Sequence, residues 1–456
     1  MTALWTSEEA QGATLGIPGR AFEVNGLSID TRTIKPGDLF VALKGDNRDG
    51  HDFVKAAFEA RAGAALVSHN VPGLPPSAAL LTVAHTQRGL EDLAVAARAR
   101  SSAKIVAVTG SAGKTTTKEL LRVALGALGA THCSAASYNN HWGVPLSLAG
   151  LPRDAVYGVF EVGMNHFGEL RNLVSFVRPH VALVTTIAPA HLEFFGNQES
   201  IADAKSEIFE GIVPGGAALI PSESPYADRL KARAHQAHVS RILKFGEKAG
   251  SDARLVSYEE TATGSQVRAD ILGTPVAFRI GAPGKHIAQN AVGALLAVAM
   301  IEGDVLNAAA ALKDFAALKG RGARFTAGGV DVIDESYNAN PASMTAALAM
   351  LDGAKGRRIA VLGDMLEMGE GGATHHAALA TPIEAAKADL VFLNGTQMKS
   401  LWDVLPTARR GAWAQTSAEL APQVMAALKP GDTVLVKGSL GSKMAVVIDA
   451  LKARGA

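Results

Sequence analysis

The stretch KIVAVTGSAGKT at residues 104–115 decides the fold class of this chain. Its first six residues form a short apolar run of the kind that is buried inside a parallel sheet. A glycine-rich turn follows, and then a helix whose apolar face comprises Leu120, Leu121, Ala124, Leu125 and Leu128. Strand, turn and helix in this order predict a phosphate-binding loop, because the backbone N–H groups converge there and the helix N-terminus adds its positive dipole end.

The turn also supplies side chains for a nucleotide and its metal ion. Lys114 is expected to bridge the outer phosphates, and the Thr115 hydroxyl is expected to ligate Mg²⁺. The full Walker A pattern has another glycine five positions before Gly113, where this chain has Val108. The alternative is a glycine turn that only happens to precede Lys-Thr. We assign nucleotide binding to Gly110, Ser111, Ala112, Gly113, Lys114, Thr115 and Thr116.

Strands and helices alternate on both sides of this segment. Further strands are predicted at 39–43, 64–67, 156–160, 181–185, 217–221, 330–333, 358–362, 390–393 and 433–436. Helices are predicted at 52–62, 86–100 and 343–351, among others. Such alternation indicates right-handed βαβ units and parallel sheets.

We therefore predict an α/β protein with three domains, since 456 residues correspond to about three units of roughly 150 residues. Residues 1–100 form a small α/β N-terminal domain. Residues 101–317 form a central parallel-sheet domain that carries the phosphate loop. Residues 318–456 form a C-terminal Rossmann-like domain, and Gly320 and Gly322 at its start are candidate pivots for domain closure.

Charge and composition exclude several classes of protein. The chain has 44 basic and 43 acidic residues, which argues against a polybasic surface for nucleic acid or membrane. Its single cysteine, Cys133, excludes an intrachain disulfide and a cysteine-cluster metal site. The start lacks a signal-peptide pattern, and the longest apolar run, 291–301, falls short of the ~20 residues that span a bilayer. We expect a soluble, cytoplasmic monomer.

Two residues near predicted strand ends are candidate metal ligands. Glu161 follows the 156–160 strand, where a carboxylate beside a phosphate loop commonly completes a Mg²⁺ shell. The alternative is a solvated charge. His191 follows the 181–185 strand, but a lone histidine is usually structural, so its position alone assigns it no role.

Lys205 lies within the apolar stripe of a predicted helix. Ser200 is its expected N-cap, with Asp203 at the capping-box position, and Lys205 follows the apolar Ile201 by four residues. A lysine there either extends its ammonium to the surface or has a function. A buried, neutral amine can react with CO₂ to give a carbamate, which is a negatively charged metal ligand.

Three further segments carry polar groups near helix or strand ends. Asn290 lies where an apolar helix begins and could simply cap it. Arg324 follows the glycine-rich segment and could be a solvated linker residue. The run DESYNANP at 334–341 combines many functional groups at a strand end, which favours a ligand-facing loop over a plain turn.

Together these segments resemble the Mur ligase superfamily over essentially the whole chain. The resemblance rests on SIDTR (28–32), PGDLFVALKG (36–45), DGHDF (49–53), the phosphate loop, YNN (138–140), GVPL (143–146), AHLE (190–193), FG (195–196), IADAKSEI (201–208) and YNANP (337–341). The phosphate loop is shared across the superfamily. The Lys205 and YNANP segments are typical of the member that joins D-alanyl-D-alanine to UDP-N-acetylmuramoyl-tripeptide.

The resemblance implies that ATP phosphorylates the terminal carboxylate of the tripeptide and that the dipeptide amine attacks the resulting acyl phosphate. Lys114 would contact the γ-phosphate, and Thr115 and Glu161 would hold one Mg²⁺. His191 would hold a second Mg²⁺, and carbamylated Lys205 would help to position it. Lys114, Lys205 and His191 are thus the implied catalytic residues.

The resemblance also implies two sets of binding residues. The nucleotide would be met by Asn290, Arg324, Asp334, Tyr337 and Asn340. The UDP-sugar peptide would be held by Ser28, Asp30, Thr31, Arg32, Lys44, Asn139 and Asn140. Relatives commonly have Asp-Asp where this chain has Asp334-Glu335, which leaves open which carboxylate meets the ribose. The predicted strand-end loops 363–367 and 437–439 are expected to contact the dipeptide.

Three alternative functions remain. The preceding ligase of the pathway adds a diamino acid to the dipeptide precursor, but its Asp-Asn-Pro-Arg motif is absent here. Folate polyglutamylation would leave the features at 28–53 unexplained. A non-catalytic nucleotide-binding regulator would not need Glu161, His191 and Lys205 together.

Overall fold

The computed structural model describes residues 3–134, 137–189, 192–261 and 264–454. It contains a two-stranded ribbon and sheets of five, nine and six strands, which follow one another along the chain. The predicted α/β fold with three domains is confirmed. The predicted boundaries at 100 and 317 stay predictions; the nearest elements end at Arg100 and begin at Lys104 and Ala323.

The N-terminal part contains the ribbon and the five-stranded sheet. Its strands are β1 (Trp5–Thr6), β2 (Ile17–Pro18), β3 (Glu23–Val24), β4 (Gly26–Ser28), β5 (Asp38–Val41), β6 (Ala64–Val67) and β7 (Leu80–Thr82). Its helices are α1 (Ser7–Thr14), α2 (Val54–Glu59) and α3 (Thr86–Arg100). Strands β4 to β7 pair in parallel, and β2 is an antiparallel edge strand.

The central part is built on a nine-stranded sheet in the order β16-β15-β14-β13-β12-β11-β8-β10-β9. Its strands are β8 (Lys104–Thr109), β9 (Thr131–Cys133), β10 (Tyr157–Glu161), β11 (Val181–Val184), β12 (Ala217–Pro221), β13 (Arg241–Gly246), β14 (Ala253–Thr261), β15 (Gly264–Ile271) and β16 (Thr274–Ile280). Its helices are α4 (Lys114–Gly126), α5 (Gly143–Ala149), α6 (Glu169–Val177), α7 (Leu192–Phe195), α8 (Gln198–Ser206), α9 (Ala227–Gln236), α10 (Lys285–Met300) and α11 (Val305–Ala311).

Strand β8 lies between β10 and β11, and all three are parallel. Their apolar side chains are buried on both faces, as expected for the interior of a parallel sheet. The carboxyl ends of the three strands therefore meet at one edge, and the phosphate loop, Glu161 and Thr185 emerge there together.

The C-terminal part has a six-stranded sheet in the order β17-β18-β22-β19-β20-β21. Its strands are β17 (Ala323–Ala327), β18 (Val330–Glu335), β19 (Arg358–Gly363), β20 (Leu390–Asn394), β21 (Arg410–Ala414) and β22 (Thr433–Lys437). Its helices are α12 (Pro341–Ala349), α13 (Gly372–Ala377), α14 (Ala380–Ala385), α15 (Lys399–Val404), α16 (Ser417–Ala427) and α17 (Ala445–Arg454). Only β17 pairs antiparallel.

Two features differ from the sequence-based expectation. Strands β14, β15 and β16 extend the central sheet with antiparallel pairs that were not predicted. Helix α8 begins at Gln198, because the Asn197 side chain accepts a hydrogen bond from the Ser200 backbone N–H at 2.8 Å. The prediction of Ser200 as the N-cap was therefore wrong: Asn197 supplies the capping oxygen one turn earlier.

The N-terminal and central parts are joined by buried contacts. The Trp5 indole N–H donates to the Ala149 carbonyl at 2.9 Å, and the Arg100 guanidinium stacks on the Trp5 ring at 3.8 Å. Arg98 donates to the Val177 and Arg178 carbonyls. Within the described ranges, every helix is too short or too polar to cross a bilayer.

Candidate functional site

A cavity of about 540 Å³ lies between the central and C-terminal parts. Its central wall contains the phosphate loop, Glu161 and Lys205, and its opposite wall contains Arg321, Tyr337 and Asn340 from the C-terminal part. The structure thus brings together residues that are more than 200 positions apart in the sequence.

Two glycines of the phosphate loop are required by close packing. Gly110 has φ +151°, and a Cβ atom there would lie 1.8 Å from the Thr185 hydroxyl oxygen. Gly113 has φ +81°, and a Cβ atom there would lie 2.9 Å from the Asn290 side-chain nitrogen. Asn290 therefore packs against the loop. It lies inside helix α10, which begins at Lys285, so it is not the cap of that helix, and its contact with the nucleotide stays a prediction.

Lys114 is folded back onto its own loop. Its ammonium donates to the Gly110 carbonyl oxygen at 2.8 Å. Burial lowers its pKa, while the Glu161 carboxylate opposes this effect and the Arg321 guanidinium adds to it. A cation held at the N-terminus of helix α4 is placed to neutralise phosphate charge.

Glu161 is a nearly fully buried carboxylate at the end of strand β10. One of its oxygens accepts from the Thr115 hydroxyl at 2.7 Å, and the other accepts from the Asn139 amide at 2.7 Å. The Asn139 carbonyl also accepts from the Gly163 N–H at 2.7 Å, which fixes this residue. A hydroxyl and a buried carboxylate oxygen form a hard donor set of the kind that suits Mg²⁺.

Lys205 lies at the cavity with only 1% of its surface exposed. Burial lowers its pKa well below the ordinary value, and the neighbouring charge of Lys114 lowers it further. Among the described residues its amine has no hydrogen-bond or ion-pair partner. Lys205 is therefore a buried amine and not a surface-reaching lysine. The predicted metal ligand His191 lies outside the described residues.

Residues of the C-terminal part contact the phosphate loop directly. The Asn340 side chain donates to the Ser111 carbonyl at 3.3 Å and also caps helix α12 by accepting from the Ser343 N–H at 2.9 Å. The Arg321 guanidinium stacks over the Tyr337 ring at 4.0 Å and donates to the Ser137 hydroxyl at 3.1 Å. These hydrogen bonds connect the C-terminal wall of the cavity to its central wall.

Two predicted nucleotide-binding residues are placed elsewhere. Arg324 lies on strand β17, outside the cavity, and pairs with Glu260 at 2.9 Å. The Asp334 carboxylate also lies outside the lining, because it accepts from the Gly320 N–H at 3.0 Å and from the Ser336 hydroxyl at 2.6 Å. Arg321 occupies the cavity in place of Arg324.

Among the cavity residues that were not predicted is His286. Glu335 was named as one of two candidate carboxylates for the ribose and Lys437 as part of a dipeptide loop, but their contact with each other was not predicted. Lys437 is 2% exposed, and its ammonium lies 3.1 Å from a Glu335 oxygen and donates to the Asn338 carbonyl at 3.0 Å. Burial lowers the pKa of His286, and the nearby Glu335 opposes this effect. Strands β18 and β22 pair in parallel, and Glu335 lies directly opposite Lys437 in that pairing. Predicting the pairing of these two strands from the sequence would have shown that the two side chains meet.

The predicted sugar-peptide residues lie apart from this cavity, except Asn139. Ser28 ends strand β4, and its hydroxyl fixes the following turn through the Asp30 backbone. The Asp30 carboxylate pairs with Arg32 at 2.6 Å and raises the pKa of the Arg32 guanidinium. Tyr138 of the central part raises this pKa as well, by a smaller amount. Thr31 belongs to the same turn, Lys44 is exposed, and Asn140 accepts from the Gly143 N–H at 2.9 Å.

Comparisons with known proteins match the chain in three segments, of which the first two overlap at residues 108–124. Residues 23–124 match the model described as "Mur ligase family, catalytic domain", residues 108–298 match "Mur ligase middle domain" and residues 320–440 match "Mur ligase, glutamate ligase domain". A UDP-N-acetylmuramoyl-tripeptide–D-alanyl-D-alanine ligase of Rickettsia prowazekii is 32% identical over 98% of this chain and 99% of its own.

Solved structures give the same result. The MurF crystal structure from Acinetobacter baumannii is similar with a TM-score of 0.87, at 29% identity over 98% of this chain and 99% of that one. A MurF ligase of Thermotoga maritima in complex with ADP shares the fold, with a TM-score of 0.79 and 23% identity over 94% of this chain and 98% of its own.

Proposed function

The chain belongs to the Mur ligase family, and from this premise we propose that it joins D-alanyl-D-alanine to UDP-N-acetylmuramoyl-tripeptide at the expense of ATP. It is an ATP-dependent ligase of peptidoglycan precursor synthesis. The relative from Rickettsia prowazekii, which matches 98% of this chain, is named for the activity that we propose. We place the reaction in the cytoplasm and assign it to a monomer.

One observation carries this proposal: the phosphate loop and Glu161 face Arg321, Tyr337 and Asn340 across a single cavity. ATP phosphorylates the terminal carboxylate of the tripeptide, and the dipeptide amine then attacks the acyl phosphate and releases phosphate. Acyl phosphates hydrolyse readily, so the site has to exclude water while the intermediate exists. Two hydrogen bonds hold the C-terminal part against the cavity and so limit the entry of water from that side. They join Asn340 to Ser111 and Arg321 to Ser137.

The residues at the phosphate loop fit Mg²⁺. Thr115 and Glu161 offer a hydroxyl and a carboxylate in contact with each other, and the Asn139 amide orients the carboxylate. Mg²⁺, when bound, neutralises charge on the phosphates. We assign Thr115 and Glu161 to one ion and His191 to a second, while Lys114 supplies the fixed positive charge next to them.

Lys205 fits the carbamate that the family resemblance implies. Its buried amine has a lowered pKa, so the neutral form that reacts with CO₂ is favoured. The product would carry a negative charge next to Lys114, whose ammonium would then have an oppositely charged neighbour. We propose that carbamylated Lys205 helps to position the second metal ion.

We assign the dipeptide to the strand-end loops at 363–367 and 437–439. The Leu366 N–H donates to the Ser439 hydroxyl at 2.9 Å, so the two loops lie side by side. Alanine substitutions in these loops should raise the KM for D-alanyl-D-alanine. Unchanged dipeptide affinity in all of them would contradict this assignment.

The test of function measures phosphate release from ATP with UDP-N-acetylmuramoyl-tripeptide, with and without D-alanyl-D-alanine. Release that requires the dipeptide, with the pentapeptide product identified by mass, is the expected result. A parallel reaction offers the dipeptide precursor with diaminopimelate or lysine. Release only in that parallel reaction would assign the chain to the preceding step. Tight ATP binding with no release in either reaction would favour a regulator or a different acceptor.

A further inference from the structure

A second cavity, of about 260 Å³, lies where the C-terminal part meets helix α7. It is lined by the loop Met365–Gly369, by Gly372 and Gln397, and by Glu193 of the central part. Its volume is below the range of about 300–1,000 Å³ that is usual for drug-sized ligands, so it suits a small molecule such as a dipeptide. The dipeptide loops of the proposed function form part of its wall.

One side chain joins the two ends of the loop Met365–Gly372. The His376 ring accepts a hydrogen bond from the Met365 N–H through Nε2 at 2.9 Å. Its Nδ1 lies 2.6 Å from the Gly372 carbonyl oxygen. Because an amide N–H can only donate and a carbonyl can only accept, the ring is neutral and carries its proton on Nδ1.

The surroundings keep the ring in this state. His376 is completely buried, and burial lowers its pKa, with Asp364 opposing the effect and His375 adding to it. Met365 is also buried, at 1% exposure, so its N–H has no access to water as an alternative partner. Loss of the ring acceptor would leave a buried donor unpaired, which costs free energy.

Neighbouring contacts fix the rest of the cavity wall but do not replace this bridge. The Leu366 N–H is held by Ser439, and the Glu193 N–H donates to the Glu367 carbonyl at 3.3 Å. The Asp364 carboxylate accepts from the Met398 N–H at 2.9 Å, next to Gln397. Among the side chains that the structure describes, the His376 ring is the one that contacts both the first residue of the loop and its last.

We propose that His376 is a positioning residue for the acceptor dipeptide: its neutral ring ties Met365 to Gly372 and so holds the loop in the shape of the acceptor pocket. This inference rests on the proposed function. It assigns the 260 Å³ cavity to a small zwitterionic peptide with a free amine, while ATP and the tripeptide are bound elsewhere.

Two substitutions of His376 test its hydrogen bonds to Met365 and Gly372 one at a time. A glutamine oxygen can reach the place of Nε2, so His376→Gln keeps an acceptor for the Met365 N–H. An asparagine amide reaches only the place of Nδ1, so His376→Asn keeps the donor to Gly372 and loses the acceptor. We expect His376→Asn to raise the KM for D-alanyl-D-alanine by roughly tenfold or more, and His376→Gln to raise it by less than about threefold.

The KM values for ATP and tripeptide should stay within about twofold in both variants, because their sites do not include the loop. The matched control is His375→Asn, one residue away, which should behave as the wild type. An unchanged dipeptide KM in His376→Asn, or an equal rise in all three KM values, would overturn the inference. The wild-type assay tests the proposed function separately: no dipeptide-dependent phosphate release there would overturn both.

Hydrogen exchange on the wild-type enzyme gives a measurement that needs no variant to fold. With ATP analogue and tripeptide present, adding D-alanyl-D-alanine should slow exchange in a peptide that covers residues 365–372. Exchange in that peptide that does not respond to the dipeptide would exclude the loop as the acceptor pocket.

Discussion

Asn139 orients Glu161, the carboxylate that we propose as a Mg²⁺ ligand. Its amide holds one oxygen of Glu161, while Thr115 holds the other. Residues that orient a metal ligand typically contribute about 10–100-fold to metal affinity. We expect Asn139→Ala to raise the Mg²⁺ concentration needed for half-maximal turnover by that factor.

A Mg²⁺ titration of phosphate release at saturating substrates measures this effect. The exposed Asn172 on helix α6 provides the control, since Asn172→Ala removes an amide of the same kind that does not line the cavity. If Asn139→Ala needs the same Mg²⁺ concentration as the wild type, Asn139 does not contribute to metal binding.

Lys205 should bind CO₂ over a wider pH range than an exposed lysine. Because its pKa is lowered, its amine stays neutral at pH values where an ordinary lysine is protonated. We expect a carbamate signal in the NMR spectrum of enzyme equilibrated with ¹³C-bicarbonate at neutral pH, and a loss of turnover after CO₂ is removed. Lys205→Arg should lack the signal, and Lys231→Arg, a change on the exposed side of helix α9, should keep it. A wild-type spectrum without the signal would contradict carbamylation.

Sequence reasoning identified most of these residues and missed others for a physical reason. A phosphate loop is local, so its strand, turn and helix could be recognised from residues 104–125. The choice between Arg321 and Arg324 could not be made in this way, because both lie in or next to the same glycine-rich segment and only the three-dimensional course of the chain places one of them in the cavity. Glu335 and Lys437 likewise meet only through strand pairing.

Helix α8, which carries Lys205, is anchored to helix α9 by a charged cluster. Asp203 accepts hydrogen bonds from Arg229 at 2.7 and 2.6 Å and from Arg233 at 3.0 Å. These arginines, Arg229 foremost, lower the pKa of Asp203 to about 2. The folded pKa thus lies below the ordinary value of 3.8, so the cluster stabilises the fold above about pH 4 and loses its contribution as the pH falls towards 2.

We expect Asp203→Asn to lower the free energy of unfolding by up to about 1 kcal/mol at pH 7. The difference from wild type should shrink between pH 4 and pH 3 in urea titrations. The nearly fully exposed Asp228 on the same helix pair is the control, and Asp228→Asn should have a much smaller effect. A difference that stays constant over this pH range would show that Asp203 does not act through its charge.

The antiparallel strands β14 to β16 show the limit of element-level prediction. Residues 274–280 alternate between exposed and buried side chains, which is the period of a half-buried strand. An alternating strand of this kind lacks the continuous apolar run by which the buried parallel strands are recognised. The β8 segment was found because its burial is continuous.

At the scale of the whole molecule, Arg321 links the C-terminal part to the central part. It stacks on Tyr337 and reaches Ser137 across the cavity. We expect Arg321→Ala to lower kcat/KM for ATP by about 100-fold, because a charged group that acts only in the closed site is removed. Arg324→Ala should have a clearly smaller effect, since Arg324 pairs with Glu260 outside the cavity. Steady-state kinetics of both variants would decide between the two arginines.

The glycines at the start of the C-terminal part are the candidate pivots of this closure. Gly320 and Gly322 have φ +75° and +93°, values that an alanine adopts only with strain. We expect the double substitution Gly320→Ala and Gly322→Ala to lower turnover about tenfold or more. Small-angle scattering with and without ligands would report the closure itself. Unchanged turnover and unchanged compaction would place the pivot elsewhere.

The cavity of 260 Å³ has walls from two parts of the molecule, since Glu193 faces the loop that begins at Met365. Glu193 is one of the eight described residues that line this cavity, so the wall is complete only while helix α7 lies against this loop. The proposed nucleotide contacts span the same two parts, since Arg321, Tyr337 and Asn340 face the phosphate loop. If the acceptor binds here as we propose, the approach of the two parts that completes the ATP cavity also completes the acceptor pocket, so the amine is held in place in the same arrangement in which the carboxylate is activated.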